Sequence, residues 1–305
     1  MYDLAILGGG PAGMTAAVYA ARKKLNIVLV AREMGGQAAW TTGVENYMGY
    51  QYIEGPELME KFAQQVKQFP ITQKVDEEVV KLSRSGQVFE VITNQDQTYQ
   101  AKAVILATGK RPRPLGVPGE DRFRGRGVTY CAVCDGPLFE GLKVAVVGGG
   151  NSALEAVNDM LKIGEKVYLI TNELSLTADP VLSDRAKQSP RLTVFTGRQV
   201  VEIQGENQVQ AIVIKPVKGG EMVRLEVGGV FVEIGLIPNS DTVRGLVELN
   251  GQGEVVVDGH CRTSVPGLFA AGDVTNVPEK QIVVAAGEGA KAALEAQRYL
   301  SRLKD

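Results

Sequence analysis

The fold is decided by a stretch near the start of the chain, LAILGGGPAG, residues 4–13. Its four apolar residues predict a short buried strand, and the glycines that follow predict a tight turn into a helix beginning at Pro11. In such a turn Gly8 permits the bend, Gly10 lets the backbone approach a pyrophosphate, and Gly13 lets the helix pack closely on the strand. The start of the helix then faces the anion. One motif of this kind is weak support for a nucleotide site.

The same arrangement recurs 140 residues further along the chain. The apolar run Val144–Val147 leads into GGGNSA, residues 148–153, and a helical pattern follows again. Two copies, each between a strand and a helix, strongly favour two dinucleotide-binding folds over two chance glycine-rich turns. Strands alternate with helical patterns over most of the chain. We therefore expect an α/β protein with two Rossmann-like dinucleotide-binding domains.

Two proline-containing segments indicate where the chain passes between these domains. Lys110–Pro118 is rich in proline and basic residues, and Pro238–Ser240 looks like the return crossing. We expect the second domain, residues 114–238, to be inserted into the first, residues 1–113 and 239–305. Apolar periodicity predicts helices over residues 11–23, 56–69 and about 281–303. Period-2 alternation predicts an antiparallel meander within residues 79–100, followed by a separate buried strand at 103–107.

Composition argues against several classes of protein. The 305 residues carry 33 Lys and Arg against 35 Asp and Glu, a net charge of −2, so neither nucleic acid nor a membrane is an expected partner. A single histidine, His260, argues against a Ser-His-Asp triad and against a multi-histidine metal site. Three cysteines make no disulfide scaffold, no apolar run reaches the ~18 residues of a membrane helix, and the start lacks signal-peptide features. We expect a cytoplasmic protein.

A pair of cysteines, Cys131 and Cys134, forms a C-x-x-C motif. Zinc would need two further ligands, and only the adjacent His260 and Cys261 remain, which would point apart in an extended segment. A redox pair is therefore favoured over half a zinc site or a chance pairing, and no metal is expected. Asp135 follows directly and is the nearby group able to move a proton. An Asx turn or helix cap is its alternative role, and both can hold.

Further motifs extend the pattern along essentially the whole chain: GGQ at 35–37, VEN at 44–46, ATG at 107–109 and FAAGD at 269–273. Together with the two glycine-rich turns and CAVCDG at 131–136, they resemble the low-molecular-weight thioredoxin reductases. Residues 127–140 and 278–293 look especially like the flavoprotein portion of the alkyl hydroperoxide reductase F subunit.

This resemblance implies that the first turn holds FAD and that the second holds a nicotinamide nucleotide. Asp273 would bond the ribityl chain, and the helix beginning near Gln281 would direct its positive end at the flavin, whose reduced form is anionic. The residues expected at FAD are Gly8, Gly10, Pro11, Ala12, Gly13, Gly36, Gln37, Asn46, Ala107, Thr108, Gly109, Gly272, Asp273, Lys280, Gln281 and Ile282. Those expected at the nucleotide are Gly148, Gly150, Asn151, Ser152 and Glu173.

The resemblance also assigns roles to the cysteines. Cys134 would face the flavin, and Cys131 would attack the disulfide of a thioredoxin- or glutaredoxin-like protein, with Asp135 as proton donor and acceptor. A homodimer is expected on the same ground.

The chain departs from the family where NADPH-dependent members grip the 2′-phosphate with a His-Arg-Arg pattern and a further arginine. Here strand 167–170 is followed by Thr171, Asn172 and Glu173, and Thr177 stands at the position of the further arginine. At ~6 Å, Glu173 would repel a 2′-phosphate by about 1–5 kcal/mol. It could instead accept a hydrogen bond from a free 2′-hydroxyl. We therefore expect NADH rather than NADPH, and a protein that uses neither remains an alternative.

The leading hypothesis is an NADH-preferring flavin disulfide reductase. Three alternatives stay open. The first is a relative that takes electrons from ferredoxin or a second flavin, which the missing arginines favour and the intact second turn opposes. The second is a small-molecule dithiol oxidase, and the third is a non-catalytic redox sensor.

Overall fold

The computed structural model describes residues 1–40 and 44–303, without the side chains of Trp40, Val133 and Cys134. The strands are β1 (Tyr2–Gly9), β2 (Ile27–Met34), β3 (Thr72–Val75), β4 (Val79–Ser85), β5 (Val88–Thr93), β6 (Thr98–Leu106), β7 (Lys110–Pro112), β8 (Val128–Thr129), β9 (Lys143–Val147), β10 (Lys166–Ile170), β11 (Leu192–Phe195), β12 (Arg198–Gly205), β13 (Val209–Pro216), β14 (Val223–Glu226), β15 (Gly229–Val232), β16 (Leu236–Pro238) and β17 (Leu268–Ala270). The helices are α1 (Pro11–Arg22), α2 (Gly55–Lys67), α3 (Glu120–Phe123), α4 (Ala132–Asp135), α5 (Asn151–Ile163), α6 (Pro180–Lys187) and α7 (Ile282–Arg302). Short 3₁₀ helices cover Gly36–Trp40, Gly136–Phe139 and Asp241–Val243.

The chain divides into two compact units. The outer unit comprises Met1–Arg111 and Ile237–Asp305, and the inserted unit comprises Pro112–Leu236. The boundaries expected from the sequence, after residues 113 and 238, lie two residues further along at each crossing. Within the described residues, no helix combines the length and apolar character that spanning a bilayer requires.

The outer unit is built on a sheet of order β3-β2-β1-β6-β5-β4, with β17 paired to β6. Strand β1 is parallel to both β2 and β6, and it is buried on both faces as a central parallel strand should be. Its residues alternate between two cores. Leu4 and Ile6 pack on the side of α1 and α7, whereas Ala5 and Leu7 pack on the opposite side.

Strand β6 corrects one expectation. Residues 98–100 and 103–107 were expected to form separate strands, and that was wrong, because Thr98–Leu106 is continuous. Its first part pairs antiparallel with β5 and its later part pairs parallel with β1. The change of partner lies at Ala101, where a half-exposed alternating pattern gives way to burial on both faces. The sequence pattern changes there although the strand does not end.

Helix α7 packs closely against α1 through its small residues. A Cβ added to Gly289 would lie 2.0 Å from the carbonyl oxygen of Ala12, so the two backbones approach more closely than any larger residue permits. This contact brings the N-terminal half of α7 beside the first glycine-rich turn.

The inserted unit repeats the parallel arrangement in a smaller form. Its main sheet has the order β11-β10-β9-β15-β8, with every pair parallel. Strand β9 carries the second glycine-rich turn at its carboxyl end, and β10 and β15 flank it on either side. A separate antiparallel sheet, β12-β13-β14, completes the unit.

Candidate functional site

The three glycines of the first turn serve different purposes. Gly8 has φ +116°, and a Cβ there would lie 2.2 Å from the Ala107 carbonyl oxygen. A Cβ on Gly13 would lie 1.9 Å from the Gly8 carbonyl oxygen, so α1 can pack under the turn only without a side chain. A Cβ on Gly10, in contrast, would have no neighbouring atom within 4 Å. The fold itself therefore leaves room for a side chain at Gly10, in contrast to Gly8 and Gly13.

The carboxyl end of β6 lies beside this turn. Ala107 donates its N–H to the Leu7 carbonyl oxygen at 2.8 Å. Thr108 and Asn239 bind each other, since the Thr108 hydroxyl donates to the Asn239 carbonyl at 2.7 Å and the Asn239 amide donates to the Thr108 carbonyl at 2.8 Å. The segment that begins at Ala107 is thus held next to Gly8.

Residues of the GGQ and VEN motifs reach the same region. The position of a Cβ on Gly36 is 3.5 Å from the Gly10 Cα. Gln37 donates its side-chain amide to the Lys110 carbonyl at 2.8 Å. Asn46 donates to the side-chain oxygen of Gln281 at 3.0 Å, which joins two residues expected at FAD although 235 positions separate them.

Asp273 follows β17 and lies near two lysines. Lys280 Nζ lies 3.4 Å from the Asp273 carbonyl oxygen and 3.2 Å from Glu254 Oε1, and Lys110 Nζ lies 3.0 Å from the same Glu254 oxygen. Burial raises the pKa of Asp273, while the two lysine charges oppose that rise. Just beyond Lys280, helix α7 begins at Ile282, and Ala285 donates the first helical hydrogen bond to the Gln281 carbonyl.

Two carboxylates here were missed by the sequence analysis. Glu288 is buried on the small face of α7 and accepts the Gly272 N–H at 2.8 Å, and burial raises its pKa. Glu254 is buried as well, and hydrogen bonds from Asn250, Lys110 and Lys280 hold its pKa below the usual range despite burial. For Glu288 the available signal was a glutamate within an otherwise small apolar helix face, because burying a carboxylate there is costly unless it has a partner.

These features fit a flavin dinucleotide. The open space beside Gly10 suits a pyrophosphate, the start of α7 suits an anionic ring edge, and Asp273 offers a carboxylate to a hydroxylated chain. The residues expected at FAD lie around these three points within the outer unit.

The second turn repeats the geometry with one change. Gly148 has φ +147°, and a Cβ there would lie 2.1 Å from the Glu233 carbonyl oxygen. A Cβ on Gly149 would lie 2.8 Å from the Thr171 hydroxyl, whereas one on Gly150 would have no atom closer than 3.8 Å. The third small residue is Ala153, which is buried. Gly150 therefore corresponds to Gly10.

The loop after β10 is fastened to this turn. Thr177 and Ala178 donate their N–H groups to the Gly149 carbonyl at 2.8 and 3.1 Å. Asn151 donates to Asp179 Oδ2 at 3.0 Å and accepts the Asp179 N–H at 2.8 Å. Glu173 is exposed in this loop. Ser152, the other residue expected at the nucleotide, is the second residue of α5.

The structure also places the backbone of an arginine beside this loop, which the sequence analysis missed. Arg198, the first residue of β12, donates its N–H to the Thr171 carbonyl at 2.9 Å. No local motif reveals this contact, because it depends on where β12 returns along the sheet.

The redox motif is organised by a threonine. Cys131 is disulfide-bonded and half-buried. Its N–H donates to the Thr129 hydroxyl oxygen at 3.1 Å, and that hydroxyl donates its own proton to Asp135 Oδ2 at 2.5 Å. One buried hydroxyl therefore connects Cys131 to Asp135. The side chain of Cys134 lies outside the described residues.

The remaining cysteine is unlike Cys131. Cys261 is a free, buried thiol, and burial together with the nearby Glu288 raises its pKa to about 11. It therefore stays protonated and unreactive near neutral pH. His260 beside it is exposed.

Comparison with known proteins agrees with this geometry. The family described as pyridine nucleotide-disulphide oxidoreductase matches residues 2–289. The alkyl hydroperoxide reductase F subunit of Pseudomonas putida and an NADH dehydrogenase of Ferdinandcohnia aciditolerans are each 44% identical over 99% of this chain, which spans 58% of the length of either relative. The crystal structure of Lactococcus lactis thioredoxin reductase superposes with a TM-score of 0.93 at 37% identity, covering 99% of this chain and 100% of that one.

These matches confirm the expected resemblance and the α/β class with two Rossmann-like domains. Flavin and nicotinamide cofactors are those that this family implies. With two glycine-rich turns, a disulfide-bonded cysteine and a family match along nearly its whole length, the chain belongs to the pyridine nucleotide-disulphide oxidoreductase family.

Proposed function

We propose that the protein passes two electrons from NADH through FAD to the pair Cys131–Cys134, and from there to the disulfide of a thioredoxin- or glutaredoxin-like protein. The observation that carries this proposal is the combination, in one chain, of two turns that fit dinucleotides with a disulfide-bonded cysteine tied to an acid. Bound FAD would supply two-electron transfer between the nicotinamide and the disulfide.

The chain's own residues would carry the exchange step. Cys131, as the thiolate, attacks one sulfur of the partner disulfide, the other partner sulfur leaves, and Cys134 then displaces the partner to restore the intramolecular disulfide. The partner gains two electrons and two protons. Asp135 would deliver and accept the proton at the sulfur atoms, and the Thr129 hydroxyl would hold its carboxylate in place.

Anaerobic mixing with candidate donors tests the proposal. NADH should bleach the flavin band at roughly 450 nm in a stopped-flow experiment, and a thioredoxin-like disulfide should then restore it. Bleaching by reduced ferredoxin alone would instead favour the alternative in which no nicotinamide nucleotide serves. Oxygen uptake with small dithiols would favour a dithiol oxidase, and a flavin that no donor reduces would favour a sensor.

The cytoplasmic location and the homodimer stay predictions.

Replacing Thr129 by valine should slow disulfide exchange about 10- to 100-fold, because the variant removes a hydrogen bond to a charged group without changing the side chain's shape. Thr129→Ser should restore most of the rate, since it keeps the hydroxyl. The rate of reduction of a thioredoxin disulfide, measured from pH 6 to 9, is the readout, and the loss should be accompanied by an altered pH profile. A valine variant with the wild-type rate and profile would show that the hydroxyl does not position Asp135.

The preference for NADH rests on Glu173 and on the name of one relative, an NADH dehydrogenase. Glu173→Arg should improve the KM for NADPH relative to that for NADH by about tenfold or more, because repulsion of the 2′-phosphate becomes attraction. Glu173→Gln should give an intermediate ratio. Initial rates with both nucleotides measure the effect.

Arg198 provides the control for this prediction, because its backbone lies beside Thr171. Arg198→Ala should leave the ratio of the KM for NADPH to the KM for NADH unchanged. A wild-type protein that binds both nucleotides equally, together with an Arg198→Ala variant that loses NADPH, would contradict the preference and assign the 2′-phosphate to Arg198.

A further inference from the structure

Glu233 is an acid placed directly against the second glycine-rich turn. It follows β15, and its N–H donates to the Val147 carbonyl at 2.7 Å. A Cβ on Gly148 would lie only 2.1 Å from the carbonyl oxygen of Glu233. The backbone of Glu233 therefore runs alongside the residue that opens the turn.

The side chain of Glu233 faces the start of α5. It is hydrogen-bonded to the side chain of Ser152, the second residue of that helix. Glu155, on the same helix, acts on it as a like charge, and Asp159 acts in turn on Glu155. On the other side of β15, strand β8 ends at Thr129, whose hydroxyl holds Asp135. Glu155 is thus the like charge that acts on Glu233. The backbone of Arg113 lies further along the same segment, where its N–H donates to the Gly235 carbonyl at 2.9 Å.

The strand order indicates which half of a dinucleotide would meet Glu233. In a Rossmann sheet the dinucleotide lies across the central strand, with its two halves over the strands on either side. Here β10 lies on one side of β9, and its following loop carries Glu173, the residue expected at the adenosine ribose. Strand β15 lies on the other side. Glu233 therefore belongs to the nicotinamide-side half.

We propose that Glu233 controls dinucleotide binding at this turn: its carboxyl group admits the pyrophosphate of the dinucleotide when protonated, and repels that pyrophosphate when ionised. This inference rests on the proposed assignment of the second turn to a nicotinamide nucleotide. In the protonated form the carboxyl can donate a hydrogen bond to a phosphate or ribose oxygen, which the ionised form cannot do. Like-charge repulsion in a half-buried site adds to the difference.

The titration of Glu233 falls in the physiological range. Burial raises its pKa, the hydrogen bond from Ser152 opposes the rise and the like charge of Glu155 adds to it, which together bring the pKa of Glu233 to about 7. A bound pyrophosphate would favour the protonated form, so binding takes up a proton. By linkage the affinity is highest below the pKa and falls as the pH rises through it.

Binding of ADP-ribose tests the inference, because this probe contains the pyrophosphate and both riboses but cannot transfer a hydride. Calorimetric titration of the flavin-loaded protein should show a dissociation constant that rises about tenfold between pH 6 and pH 8. Measurement at pH 7 in two buffers of different ionisation enthalpy should show uptake of about half a proton. In Glu233→Gln the affinity should stay high across this range and the proton uptake should vanish.

Glu155→Gln is the matched control, since it removes a neighbouring acid and keeps Glu233. It should retain the pH dependence, with its midpoint moved to lower pH because the like charge is gone. Glu233→Gln with the wild-type pH dependence and proton uptake would overturn the inference. Absence of ADP-ribose binding at every pH, in both the wild type and Glu233→Gln, would overturn the proposed nucleotide site itself.

Discussion

Cys131→Ser should reduce the turnover of a thioredoxin-like disulfide by at least about 10³-fold, while NADH still bleaches the flavin. The serine hydroxyl is a far weaker nucleophile than a thiolate, and no dithiol can form, so electrons reach the flavin and stop there. The two half-reactions can be measured separately, by stopped-flow absorbance with NADH and by steady-state reduction of the protein disulfide. The separation matters because a variant that merely misfolds would lose both.

Cys261→Ser is the matched control for this experiment. The Cys261 thiol is buried and free, and its pKa is raised to about 11, so it takes no part in exchange near neutral pH. Its replacement should leave both half-reactions within about twofold of the wild type, because a small polar group replaces a small thiol that already contacts the Glu288 carbonyl oxygen. A Cys131→Ser variant that keeps a tenth or more of the turnover would remove the disulfide from the proposed electron path.

The two glycine-rich turns could be predicted from the sequence because each depends on residues within about ten positions. Gly8 and Gly148 do adopt the left-handed conformation that the turn requires, and strands and helices follow one another as the motifs indicate. Asn46 and Gln281 were both expected at the flavin from the family resemblance, and the structure shows that they contact each other across the chain.

Other features could not be predicted because they arise where distant segments meet. Glu233 contacts Gly148 only because β15 pairs with β9, and Arg198 reaches Thr171 only because β12 returns beside β10. The continuity of β6 was missed for a related reason. Its two halves differ in burial because they have different neighbours, and a single sequence does not reveal which strands those neighbours are.

Gly13→Ala should destabilise the fold, whereas Gly10→Ala should leave the fold stable and weaken the binding of FAD. A Cβ on Gly13 would lie 1.9 Å from the Gly8 carbonyl oxygen, which forces α1 away from β1. We expect a loss of about 3 kcal/mol or more and a fall in Tm of about 6–12 °C, measured on protein stripped of flavin. Wild-type Tm in Gly13→Ala would mean that the turn and the helix do not pack as described.

Gly10→Ala should leave the flavin-free protein as stable as the wild type. Gly10 has an extended backbone, φ −76° and ψ −175°, that alanine readily adopts, and its Cβ would have no protein atom within 4 Å. If a pyrophosphate lies there, the added methyl group should weaken FAD binding about tenfold or more, measured by fluorescence titration of the stripped protein. Gly10→Ala that is stable and binds FAD like the wild type would place the pyrophosphate elsewhere. The variant thus separates what the fold requires of a glycine from what the cofactor requires.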